Sequence, residues 1–176
     1  MLKIGVILGS TREGRVSPQV GEWVLKNGES NDELALELVD IKAYDLPFLG
    51  TADAPGIAQW QAKIAELDGF IFVTGEYNHS IPASLKNALD LAKAEWANKP
   101  AGIVSYGSLG GARATEHLRG IVSELQMADV RSHTAMSMFT DFEKWSVFKP
   151  AEMHLANLTT MFEQVARWGR ALKTIR

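Results

Sequence analysis

The sequence predicts a doubly wound α/β fold, a five-stranded parallel sheet in the order 2-1-3-4-5 with helices on both faces. Three observations lead there. Apolar runs of strand length alternate with amphipathic stretches along the whole chain. Most of these runs are apolar without interruption, as strands covered on both faces must be. No repeat, low-complexity tract or Pro/Ser-rich linker breaks the alternation, so the 176 residues read as a single domain. Strands that alternate with helices pair in parallel through right-handed crossovers.

Lys3 to Leu8 is a continuous apolar run stopped by Gly9-Ser10, and reads as the first strand. Ser17-Pro18 reads as a helix start, with the serine hydroxyl as N-cap, proline at the first helical position, and Val20, Trp23 and Val24 at helical spacing. Leu34 to Ile41 alternates less cleanly and reads as a strand near an edge. Asp45 to Gly50 is loop, and Ile57 to Leu67 is a helix with Trp60, Ile64 and Leu67 on one side. Gly69 to Thr74 is the third strand, apolar almost throughout. A helix from Pro82 to Trp96 carries Leu85, Ala88, Leu89 and Ala92 inward. Pro100 to Tyr106 is the fourth strand, Ala112 to Met127 a long amphipathic helix, and Val130 to Met138 a weaker fifth strand. Ala151 to Lys173 closes the chain as a helix with Leu155, Leu158, Phe162, Val165 and Trp168 on its buried face.

In this strand order the ligand crevice lies at the carboxyl ends of strands one and three. That singles out the segments after Leu8, Thr74 and Tyr106. The first reads GSTREGRVS and lacks both the G-x-G-x-x-G spacing of a dinucleotide turn and the lysine of a Walker loop. It offers the hydroxyls of Ser10, Thr11 and Ser17, the guanidinium groups of Arg12 and Arg15, and backbone amides opening into a helix. A helix start leaves N–H groups unpaired and carries partial positive charge, and arginine adds charge-assisted contacts to phosphate oxygens. The segment reads as a seat for a terminal phosphomonoester. On this loop alone a second reading stays open, in which Ser17 only caps and the arginines are solvated; the switch-point position favours phosphate. The middle segment, GEYNHSIPASLKNALD, sets the ring of Tyr77 and the peptide groups around Asn78 where a flat heteroaromatic ring would lie.

That string resembles the P-E-Y-N-x-S-x-P-x-x-L-K-N-A-x-D signature of the NADPH-dependent FMN reductase family, which includes quinone, azo and chromate reductases. GSTREGRVS is similar to the family's phosphate loop, and SYGSLGG from Ser105 to Gly111 to its third flavin-side loop. The matches fall in order on the three switch-point loops and span most of residues 1 to about 130. The resemblance implies a flavodoxin-like fold, FMN as cofactor and NADPH or NADH as co-substrate. It points to Ser10, Arg12, Arg15, Val16 and Ser17 for the phosphate, and to Glu76, Tyr77 and Asn78, largely through their backbone, for the isoalloxazine. Ser105, Tyr106 and Gly107 would close the far side. The family usually has proline at the position of Gly75; glycine frees φ there and is expected to loosen the turn.

Composition excludes several rivals. A net charge of −3 is too mild to predict a nucleic-acid or membrane-surface partner. Without cysteine there is no disulfide, thiol nucleophile or thiolate metal site, which suits a reducing compartment. The early stop at Gly9-Ser10 leaves no signal-peptide or membrane-helix pattern, so the cytoplasm is expected. A phosphorelay receiver needs an aspartate ending strand three, where this chain has Thr74-Gly75. A flavodoxin-type electron carrier is the main alternative, though such carriers tend to be markedly acidic. His79 reads as a rim residue more readily than as a proton donor, and His117, His133 and His154 show no metal-ligand spacing.

The implied chemistry is ping-pong transfer of two electrons from NAD(P)H through the flavin to a small acceptor: a quinone, azo compound, metal oxyanion or free flavin. No side chain need act as acid or nucleophile, so no catalytic residue and no metal are assigned. By resemblance a homodimer or homotetramer is expected, with the helix from Pro82 to Trp96 as its contact. Lys86, Asn87 and Asp90 read as a solvated or interface face of that helix, with Asn87 as a brace for the flavin loop. Phe139, Phe142, Trp145 and Phe148 form an aromatic cluster without periodicity, readable as a lid, a subunit contact or local packing.

Overall fold

Strands β1 (Leu2–Leu8), β2 (Leu34–Asp40), β3 (Gly69–Gly75), β4 (Pro100–Gly107) and β5 (Ala128–Ser137) pair in parallel in the order β2-β1-β3-β4-β5. This is the order read from the sequence, seen in a computed structural model that describes residues 1–176. Burial follows position in the sheet. Every residue of β3 and β4 is buried, while β2 and β5 at the edges mix buried with partly or fully exposed positions. Central strands meet helices on both faces and carry apolar side chains at nearly every position; edge strands do not need them.

Five helices cover the sheet: α1 (Ser17–Gly28), α2 (Pro55–Glu66), α3 (Ala83–Asp90), α4 (Ala112–Glu124) and α5 (Met153–Leu172). One core joins α2, α3 and α4 to the sheet through Trp60, Ile64, Leu85, Leu89, Leu118 and Val122. The other joins α1 and α5 through Val20, Val24, Leu158, Phe162 and Val165. Successive strand residues point to opposite faces, so Phe70 and Phe72 enter the first core and Ile71 and Val73 the second. None of the helices is long and apolar enough to cross a membrane.

Two local expectations are corrected, and an open one is narrowed. The helix expected from Pro82 to Trp96 stops at Asp90, and Ala94–Trp96 form a separate 3-10 turn. Trp96 is the cause. Its indole N–H donates to the carbonyls of Leu89 (3.1 Å) and Ala92 (3.0 Å), and its ring is buried edge-on to Phe70 at 4.7 Å. In α5 the buried face runs through Leu158, Met161, Phe162, Val165, Ala166 and Gly169, leaving Leu155 and Trp168 38% and 45% exposed. Small residues decide this phase: a Cβ on Gly169 would sit 2.6 Å from the Leu2 side chain, so the helix approaches the sheet where Trp168 would not fit. Finally, the aromatic cluster divides. β6 (Phe142–Glu143) and β7 (Val147–Phe148) form a small antiparallel hairpin; Phe142 and Phe148 pack inward while Phe139 and Trp145 stand exposed.

Candidate functional site

The loop from β1 into α1 carries a set of unmet donors. The Gly9 amide donates to the Val73 carbonyl at 2.9 Å, and none of the amides from Ser10 to Ser17 donates a well-formed hydrogen bond. Backbone donors are rarely left so in a folded chain unless water or a ligand meets them. Ser17 does not act as the expected N-cap: Val16 holds that position, and the helix begins one residue before Pro18. The Ser17 side chain is fully buried, and its Oγ faces the Tyr106 hydroxyl without a well-formed hydrogen bond to it.

The two arginines of this loop part company. Arg15 turns towards the end of β2, where its guanidinium grips the Asp40 carboxylate (Nη1 to Oδ1 2.8 Å, Nη2 to Oδ2 2.5 Å) and donates to the Ser10 carbonyl at 2.6 Å. Its side chain holds the loop's shape, leaving the Arg15 amide free. Arg12 makes no ion pair and lies over the Tyr77 ring, 6.0 Å from its centroid. It is the loop's available cation.

After β3 the chain turns back tightly. Tyr77 and Ser80 exchange backbone hydrogen bonds (2.8 and 3.1 Å), with Asn78 (φ 48) and His79 (φ 71) both left-handed between them. This is a type I′ pattern, in which asparagine is well suited to the first left-handed position. Glu76 anchors the turn from the other side. Its carboxylate accepts from Arg113 Nε (2.5 Å) and from the Arg113 amide (3.1 Å) at the start of α4. Burial works to raise this carboxyl, but Arg113 and the amides of Ala114 and Arg113 outweigh it and hold it below the usual carboxylate range. Only the backbone of Glu76 remains for a ligand. Arg113 Nη1 also meets His79 Nε2 at 2.8 Å, which fits the reading of His79 as a rim residue. Tyr77 ties the two loops together through a 2.7 Å bond between its hydroxyl and that of Ser10.

The third loop is pinned by Ser105, whose Oγ donates to the Gly110 carbonyl at 2.6 Å. Gly107 is needed for close approach: a Cβ there would lie 3.0 Å from Glu76 Cβ and 3.1 Å from the Gly111 nitrogen. Tyr106 is buried, its hydroxyl lies beside that of Ser17 without a well-formed hydrogen bond, and burial pushes its phenol well above the usual range. The expectation of a loosened turn at Gly75 is corrected here. Gly75 is the last residue of β3, in register with Tyr106, and a Cβ on it would meet the Tyr106 ring at 2.8 Å. Glycine at this place admits the tyrosine ring.

Two cavities meet at Arg12 and Tyr77. The smaller, of about 260 Å³, is bordered by Arg12, Val16, Glu76, Tyr77, Tyr106 and Gly107, with Ser108, Met138 and Trp145 completing it. All three switch-point loops contribute to it. The larger, of about 520 Å³, opens on the other side between the start of α3 and the loop around Phe48, with Lys42, Asp45 and Asn87 on its wall. Asn87 braces that loop, accepting from the Leu49 amide (2.9 Å) and donating to the Pro47 carbonyl (2.9 Å). It therefore holds the loop before α2 rather than the turn after β3.

Several of these partners carry no local sequence signal. Asp40 and Arg113 lie 25 and 37 residues from the groups they hold. Trp145 reaches the cavity because the hairpin places it there, and only its membership of an aromatic cluster marked it in the sequence.

The family model described as NADPH-dependent FMN reductase matches residues 2–141. An NAD(P)H-dependent FMN reductase of Schizosaccharomyces pombe is 35% identical over 94% of this chain and 89% of its own length. A quinone reductase of Escherichia coli is 36% identical over 69% of each chain. Among solved structures, the flavoenzyme NAD(P)H:(acceptor) oxidoreductase of Paracoccus denitrificans superposes with a TM-score of 0.75, at 21% identity, over 95% of this chain and 98% of its own, a likeness of fold. The chain belongs to the NADPH-dependent FMN reductase family of oxidoreductases.

Proposed function

We propose that this protein is a single-domain FMN-dependent NAD(P)H oxidoreductase, cytoplasmic in keeping with its cysteine-free sequence, acting on a small acceptor such as a quinone, azo compound, metal oxyanion or free flavin. One observation carries the reading: the unpartnered amides from Ser10 to Ser17 beside the unpaired Arg12, at the point where the three loops converge. These donors suit a phosphate dianion. Ser10, Arg12 and Ser17 would hold it through side chains, and Arg15 and Val16 through their amides. The peptide groups of Glu76, Tyr77 and Asn78 and the loop of Ser105, Tyr106 and Gly107 would border the ring beside the smaller cavity, leaving its mouth to donor and acceptor.

Bound FMN supplies the two-electron chemistry between NAD(P)H and the acceptor. The protein's part is to fix the ring and limit water. Tyr106 stays a neutral phenol throughout the working range, so it offers a hydroxyl without contributing charge. Glu76 stays ionised but turned into α4, away from the ring. With one cavity bordered by all three loops, donor and acceptor take turns at it, which gives ping-pong kinetics. Anaerobic stopped-flow tests this: NADPH should bleach the absorbance of protein-bound FMN in the absence of acceptor. Retained absorbance with FMN bound would contradict the enzyme reading.

A homodimer fits the same picture. The apolar tip Phe48-Leu49 stands 66% and 58% exposed, held beside α3 by Asn87. We place the subunit contact on this tip and α3, and a clean monomer on size-exclusion chromatography at micromolar concentration would remove it.

A further inference from the structure

The hairpin of β6 and β7 puts a tryptophan at the mouth of the smaller cavity by an uncommon route. Its turn residues Lys144 (φ 48) and Trp145 (φ 61) are both left-handed, and the Ser146 amide closes the turn on the Glu143 carbonyl at 3.1 Å. Such turns favour Asn-Gly; a bulky side chain there is strained and persists only where the surroundings enforce it. The enforcement is visible. Gln19 of α1 donates from Nε2 to the Ser146 carbonyl (2.8 Å) and accepts at Oε1 from the Phe148 amide (2.9 Å). At the hairpin's base the Asp141 carboxylate accepts from the amides of Ser137 (2.9 Å) and Ala151 (3.0 Å) and pairs with His154 (2.9 Å).

What this machinery holds in place is not core. Phe142 is buried and Phe148 packs against the core partly buried, whereas Trp145 is 59% exposed, packs edge-on against the 64% exposed Phe139 at 5.1 Å, and borders the cavity with Tyr77, Tyr106 and Met138. An exposed aromatic pair, strained into position and clamped at both ends, is built to meet something flat.

We propose that Trp145 determines acceptor choice: a planar aromatic acceptor entering the cavity stacks on its indole, while a compact inorganic oxidant gains nothing from it. This rests on the function proposed above. Gln19 is a positioning residue in the same device, acting through the hairpin.

The test compares menadione with ferricyanide as acceptors for the FMN-loaded wild type, Trp145→Ala, Trp145→Phe and Gln19→Leu. In Trp145→Ala the menadione-to-ferricyanide ratio of kcat/KM should fall about fivefold to tenfold, the size of one aromatic pairing, mainly through KM. Trp145→Phe should recover most of the ratio, and Gln19→Leu should show a partial fall. Menadione added to the oxidised, FMN-loaded protein should also quench tryptophan emission saturably, and Trp145→Phe should abolish that component. An FMN titration of each variant separates the two claims. Wild type that binds no FMN removes the functional reading and this proposal with it. Wild type that binds FMN while Trp145→Ala keeps the wild-type ratio, or Trp145→Phe keeps the quenching, overturns the acceptor assignment alone.

Discussion

The loop after β1 and the loop after β3 border the same cavity and are linked by the Ser10–Tyr77 hydroxyl bond, yet they are completed in opposite ways. In the first, side chains fix the shape and the backbone is left unsatisfied: Arg15 grips Asp40 while the amides from Ser10 to Ser17 stand free. In the second, the backbone closes on itself between Tyr77 and Ser80, and the carboxylate of Glu76 is consumed by α4. The first loop is left with donors for water or a ligand to meet. The second is finished in advance and offers a rigid edge. In the proposed reading a phosphate, charged and rich in acceptors, falls to the former, and a ring that must be held flat to the latter.

Reversing charge in the first loop should have the largest effect. Arg12→Glu replaces the loop's unpaired cation by an anion and should weaken FMN binding by about 100-fold or more, read by flavin fluorescence quenching, with little change in melting temperature. An unchanged affinity would mean that the phosphate lies elsewhere.

The second loop should respond through stability. Gly75→Pro restores the residue usual in the family but brings a Cβ into the Tyr106 ring, and should destabilise by about 2 kcal/mol in urea unfolding. If this contact is the cause, combining it with Tyr106→Ala should cost at least about 1 kcal/mol less than the sum of the two changes. Additive costs would point to the lost backbone donor instead.

A smaller effect follows pH. The folded Glu76 carboxyl lies below its ordinary value of 4.5, so its ion pair stabilises fully above that pH and is lost as pH falls through the folded value. Glu76→Gln should therefore cost about 1–2 kcal/mol at neutral pH, with the gap to wild type narrowing as acid is added. A gap independent of pH would show that the amide replaces the carboxylate's role only sterically.

The two loops also differ in how legible they were. Three switch-point segments could be placed from sequence because β1, β3 and β4 are apolar at nearly every position, a pattern that central parallel strands require. The residue types of the first loop announced an anion site for the same local reason: hydroxyls and cations at a helix start. What stayed hidden was the division of labour, since nothing near Arg15 in sequence reveals Asp40 and nothing near Glu76 reveals Arg113. Size misled in α5, where Trp168 looked like core and Gly169 proved to be the contact. The β6–β7 hairpin escaped notice because its strands are two residues each and its turn is Lys144-Trp145, not the glycine or asparagine that normally marks left-handed backbone.

The most direct measurement is the affinity of the protein for FMN against riboflavin, which share the ring and differ only in the phosphate. If the free amides, Arg12 and the buried Ser17 hydroxyl seat that group, FMN should bind at least about 100-fold more tightly, since each charge-assisted bond contributes roughly 1.5–3 kcal/mol. Riboflavin binding within a factor of about two of FMN would contradict the account, because such a ratio is worth well under 1 kcal/mol and leaves the loop after β1 without its ligand.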